Sequence, residues 1–129
     1  MSYAAIKTAL EKHLQSVADI PVVFDDSRYR KKPKTAFLRA TFQPEKVTPR
    51  LVGRDEPQEY QGRLDIMIFE ASHMGAIIRA DALRAQFPRG VSLSQDGINI
   101  YVVNTELTRD QQNLNHNAYR LRIRWRSYF

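Results

Sequence analysis

The sequence predicts an α+β domain: an antiparallel or mixed sheet of four to five strands packed against two helices on one face. Two segments carry apolar residues at helical spacing, and several others carry them at alternate positions. The elements run helix, strand, strand, strand, helix, strand, strand. With 129 residues there is room for a single domain, 1–129, and none for a second enzymatic one.

Residues 2–17 open the chain as an amphipathic helix. Tyr3, Ile6, Leu10, Leu14 and Val17 recur at steps of three and four, Lys7, Glu11 and Lys12 take the other side, and Ser2 is a candidate N-cap. Pro21 ends the helix, and Val22-Val23-Phe24 is a short strand. A polar stretch, 25–34, leads to a strand over 35–42. Residues 43–58 hold Pro44, Pro49 and Pro57, which argue against a regular strand and predict a long loop.

The next strand spans 59–69, with Leu64, Ile66 and Ile68 on one side and Arg63, Asp65 and Met67 on the other. Residues 74–87 form the second helix. Ala76, Ala80, Leu83 and Phe87 make its stripe, Ile77 and Ile78 lie beside it, and Pro88 and Gly90 stop it. The turn signal Asp96-Gly97 introduces a strand over 98–103. An amide-rich stretch, 104–117, is a second long loop. The last strand, 118–128, is the clearest: Tyr119, Leu121, Ile123 and Trp125 alternate with Arg120, Arg122, Arg124 and Arg126. Short connections predict hairpins for the last two strands and for the two that flank 43–58.

The net charge is +6, but it is local. Five basic residues, Arg28, Arg30, Lys31, Lys32 and Lys34, lie in one segment and four in the final strand, which leaves 11 basic against 14 acidic residues elsewhere. There is no cysteine, hence no disulfide or thiolate zinc site. No signal-type leader and no apolar run near the ~20 residues of a membrane span is present. His13, His73 and His116 have no neighbours at metal-ligand spacing. The glycines form neither a dinucleotide nor a phosphate loop, and no serine sits in a nucleophile elbow. The sequence thus offers no catalytic residue, no metal site and no cofactor site.

The arginine ladder carries the most information. Four like charges on one strand face, about 6–7 Å apart, repel one another. Asp65 and Glu59 on a neighbouring strand are candidates to relieve this; another subunit, an acidic surface or a polyanion would also do so. Arg28 to Lys34, with Tyr29 among them, are candidates for contact with a polyanion.

Several segments together resemble the tail terminator (tail completion) proteins of long-tailed bacteriophages and prophages. They are the helix with Ile6-Lys-Thr-Ala-Leu10, the strand Ala36-Phe-Leu-Arg-Ala-Thr-Phe42, a long loop with Gly53, the segment Tyr60-Gln-Gly-Arg-Leu-Asp-Ile-Met-Ile-Phe69, the helix Gly75 to Phe87 followed by Pro-Arg-Gly90, and the basic-apolar last strand. The resemblance covers roughly residues 3 to 127. It implies a non-enzymatic structural protein without cofactors, a homo-oligomer that forms a ring, usually hexameric, on the head-proximal end of the tail tube. Its partners would be the tail tube protein and the head–tail connector, with DNA met only non-specifically and no membrane. It would sit in the virion tail after assembly in the bacterial cytoplasm. On this reading the arginine ladder, Asp65 and Glu59 become candidate subunit-interface residues. Lys46, Arg50, Arg54, Asp55 and Glu56 become a candidate contact loop for the tail tube or a neighbour. The alternative is a small basic nucleic-acid-binding module using 28–34 and the arginine strand.

Overall fold

The computed structural model of the chain describes residues 3–24, 36–49, 58–70, 72–88, 92–95, 98–110 and 117–128. The elements are α1 (Tyr3–Val17), β1 (Val22–Phe24), β2 (Phe37–Pro49), β3 (Gln58–Glu70), α2 (His73–Ala85), β4 (Ser92–Gln95), β5 (Ile98–Asp110) and β6 (Asn117–Tyr128). They form one mixed sheet in the order β1-β2-β3-β6-β5-β4. β1 pairs parallel with β2, and every other neighbouring pair is antiparallel. The expected α+β class is observed, as are the β2–β3 and β5–β6 pairings.

Both helices cover the same sheet face. Ile6, Ala9, Leu10 and Leu14 of α1 and Ala76, Ala80 and Leu83 of α2 are buried, as is Phe87 beyond α2. They share one core with Leu38 and Ala40 of β2, Leu64, Ile66 and Ile68 of β3, Ile100 and Val102 of β5, and Leu121, Ile123 and Trp125 of β6. The period-2 pattern of the strands therefore meets the 3.6-residue stripes of the helices. Ser72 caps α2: its Oγ accepts from the Gly75 amide at 3.0 Å. At the other end of α2, His13 of α1 donates from Nε2 to the Gln86 carbonyl at 2.8 Å, with its ring edge-on to Phe87. Ser2, Gly90 and the Asp96-Gly97 turn lie outside the described residues.

Three expectations need correction. The sheet has six strands, not four to five, because β4 adds an edge strand of four residues. Residues 43–49 are strand rather than loop. β1 borders β2 only at Leu38–Ala40, so Pro44 and Pro49 lie where β2 has no described strand on its outer side, and an edge is where a strand tolerates proline. A bulge between Pro44 and Lys46 absorbs the irregularity. Residues 104–110 are likewise strand. They lack clear alternation, but they pair in register with β6 from Asn104↔Arg124 to Asp110↔Ala118. Tertiary pairing, not local preference, decides both cases.

Candidate assembly surface

One end of the core is closed by aromatic side chains. The Trp125 ring stacks on Phe42 (centroids 5.4 Å apart, 11° between planes), and Tyr3 stands edge-on to Phe42, Tyr60 and Trp125. This closure needs a glycine at position 62. A Cβ there would lie 2.5 Å from Trp125 Cζ2 and 2.6 Å from the Gln43 carbonyl oxygen. Burial raises the pKa of the Tyr3 hydroxyl above the ordinary tyrosine value, and Tyr60 and Glu45 add to it.

The opposite sheet face carries the arginine ladder. Register places Thr41, Asp65, Arg122 and Glu106 in one row across β2, β3, β6 and β5; the next row is Gln43, Arg63, Arg124 and Asn104. Asp65, only 8% exposed, accepts from Arg122 Nε at 2.9 Å, and its other oxygen lies 3.3 Å from Arg63 Nε. Glu45, from the bulge of β2, lies 3.7 Å from Arg63 and 3.4 Å from Arg124. Acids and bases thus alternate along Arg122, Asp65, Arg63, Glu45 and Arg124, and cross-strand attraction replaces the repulsion expected along β6. Arg120 directs Nε to the Met67 sulfur at 3.4 Å. At one end of this face Phe37 stacks on Phe69, with Ala118, Val23 and Met67 packed around them.

Asp65 therefore meets the ladder as the sequence suggests. Glu59 lies on the ladder face of β3, two residues from Gln61, which pairs with Arg126, and it accepts a hydrogen bond from Gln61 at 2.9 Å. Glu45 takes the second acidic role. It escapes a sequence reading because it stands between Pro44 and Lys46 in the stretch expected to be loop. The backbone of Lys46 lies in β2, paired with Gln61. Arg50, Arg54, Asp55 and Glu56 lie outside the described residues, as do Arg28, Arg30, Lys31, Lys32, Lys34 and His116. His73 sits between Tyr119 and Arg109, at 3.2 and 3.3 Å. Among the described residues no three His, Cys, Asp or Glu side chains are grouped to hold a metal ion, and no helix is long and apolar enough to cross a membrane.

On the helix side, a cavity of about 420 Å³ opens between the end of α1, β2 and one flank of α2. Leu38, Ile78, Ala82 and Leu83 line it, and Asp19, Glu70 and Arg79 sit at its rim. Arg79 pairs with both Glu70 and Asp19. Burial works against its charge, but the two carboxylates outweigh this and raise its pKa above the ordinary arginine value.

These features define a class of protein: a small α+β domain that spends one sheet face on a helix-covered core and the other on a lattice of ion pairs. Comparison with known families gives the class its particular member. The chain belongs to the phage tail terminator family, whose model, described as phage tail terminator protein, matches residues 5–125. Its role is accordingly a structural one, as a component of the phage tail. A solved structure 19% identical in sequence is similar over 100% of this chain and 97% of its own, with a TM-score of 0.79; at that identity the likeness is one of fold. No curated protein shows a significant match.

Proposed function

We propose that this protein caps the tail tube as a ring, stops its polymerisation and provides the surface to which the head joins. Membership of the tail terminator family over residues 5–125 carries this reading. The ring is a homo-oligomer, a hexamer on the tail. Its partners are the tail tube protein and the head–tail connector, and it assembles in the host cytoplasm. Within it the exposed side of the arginine face, with Arg120, Arg122, Arg124 and Arg126, gives orientation through charge more than affinity. Lys46 and the segment 50–57, which joins β2 to β3, make the contact with the tail tube or a neighbouring subunit.

Electron microscopy of the purified protein, alone and with tail tubes, tests the proposal. Rings, or caps on tube ends, are the expected result, and a protein that never associates with tubes overturns it. The nucleic-acid alternative predicts affinity for mixed-sequence DNA that falls steeply with salt. The ion pairs weaken that alternative, because at least two of the four ladder arginines, Arg122 and Arg124, already hold carboxylates of their own chain.

A further inference from the structure

Among the described residues four large apolar side chains are exposed, and they fall into two pairs. Met74 (66%) and Ile78 (61%) lie on α2, while Val103 (38%) and Leu107 (40%) lie on β5. Met74 and Ile78 are four residues apart, so they stand on one stripe, which Ala82 continues. Isolated exposed apolar residues are ordinary, but Ile78 and Leu107 each border a depression beside α2, a pattern that asks for an occupant.

Ile78 and Leu107 lie at opposite flanks of α2. α2 packs over β3 and β6. On the side toward β2, Ile78 and Ala82 border the 420 Å³ cavity with Leu38 at its floor. On the side toward β5, Leu107 borders a small cleft with Ala80, Asp81, Arg84 and Leu121. One side is a hollow, and the other presents a leucine, 40% exposed, at the lip of a small cleft. The hollow is more than twice the roughly 150 Å³ of a well-known engineered cavity lined by large apolar side chains.

Charge follows the same division. At the hollow, Asp19 and Glu70 share the single cation Arg79, which leaves one negative charge; the side chain of Asp19 is 82% exposed. Near Leu107, the exposed Arg84 and Arg109 outnumber Asp81 and leave one positive charge.

We infer that these two flanks are the two halves of a head-to-tail contact between copies of this chain, with Leu107 of one copy seated in the Ile78 hollow of the next. Two different, complementary patches on opposite sides generate a closed ring when the rotation between copies closes. Two identical patches would instead stop at a two-fold dimer. The inference rests on the ring reading and assigns the surfaces that reading leaves open.

The chain contains no cysteine, so cysteine pairs report the contact without background. Ile78→Cys and Leu107→Cys, singly and together, are bound to tail tubes as full-length protein and treated with a short bismaleimide. Both positions are exposed, so folding is retained, which circular dichroism confirms. Expected are a covalent ladder from the double variant, a dimer from an equal mixture of the two single variants, and monomer from either single variant alone. The longest rung counts the subunits in the ring. A homodimer from Ile78→Cys alone overturns the contact in favour of a two-fold one. Caps on tubes with no cross-link overturn the contact alone. Unmodified protein that forms neither rings nor caps overturns the ring reading, and the contact with it.

Discussion

Gly62→Ala is the sharpest test of how the core closes. A methyl group at this position would stand 2.5 Å from Trp125 Cζ2, 3.1 Å from Trp125 Cε2 and 2.6 Å from the backbone oxygen of Gln43, against an ordinary contact near 3.5–4 Å. Neither neighbour yields easily. The indole is 1% exposed, stacked on Phe42 and met by the edge of Tyr3, and the Gln43 carbonyl is fixed by the β2–β3 register beside the bulge. Overpacking costs about 1–3 kcal/mol, and a clash with backbone belongs at the upper end. Restricting the unfolded chain returns about 0.4–1 kcal/mol. The net loss is about 2 kcal/mol. At about 2.1 cal/mol/K of unfolding entropy per residue, this lowers the Tm of a 129-residue chain by about 7 °C. Circular dichroism gives the Tm, and the fluorescence of the single tryptophan reports the site itself. Gly62→Ala combined with Trp125→Phe removes Cζ2 and Cε2 but keeps the Gln43 contact, so it should lose less than the sum of the two single changes. An unchanged or raised Tm for Gly62→Ala would refute the close-approach argument.

Other expectations follow from the same geometry. Asp65→Asn removes the carboxylate shared by Arg63 and Arg122 and should cost about 1–2 kcal/mol at low salt. The deficit should shrink in high salt, since the arginines left behind are partly exposed and are screened; equal stability of variant and parent in low salt contradicts the lattice. His13→Ala loses the 2.8 Å bond to the Gln86 carbonyl and the edge contact with Phe87, a loss of about 1–2 kcal/mol measurable as a lower denaturant midpoint. The raised pKa of Tyr3 means that the folded protein holds this proton more tightly than the unfolded one. Its stabilising contribution is complete below the ordinary tyrosine value of about 10 and is lost as pH rises through the folded value. Tyr3→Phe should therefore flatten the alkaline limb of the stability curve, and an unchanged slope counts against the assignment. Removing residues 51–56 of the segment joining β2 and β3 should abolish capping of tail tubes while leaving the Tm within a few degrees.

Legibility in the sequence tracked how strongly local pattern and tertiary pairing agree. β6 shows strict alternation and α2 a clean Ala76, Ala80, Leu83 stripe, and both stand where periodicity places them. The stretch 43–49 reads as loop because its prolines deny a central strand, yet an edge tolerates them. Whether β2 is an edge there depends on where β1 ends, which no local signal states. Asp65 was visible as an acid on a neighbouring strand. Glu45 was not, since its reach to Arg63 and Arg124 depends on a bulge that only pairing reveals. Ile78 did carry a signal: it lies outside the helical stripe, and a large apolar residue off the stripe of an amphipathic helix is either exposed or covered by a partner.

The ion pairs also change what the basic composition means for assembly. A bare ladder of four arginines would attract any polyanion over a distance of about a Debye length. Pairing Arg122 with Asp65 and Arg124 with Glu45 converts much of that long-range field into short, oriented contacts. The more exposed pair, Arg124 with Glu45, contributes about 0–1 kcal/mol to stability, so its larger effect is on which partners are rejected. The apolar side of assembly is equally restrained. Two pairs of exposed side chains are far less than the ≈ 800 Å² per partner of a stable interface, so copies joined through them alone would associate weakly. A tube end that holds several copies side by side raises their effective concentration and makes the same small contact sufficient. On the proposed ring reading, weak contacts in solution and closure on the tube would confine assembly to the tube end.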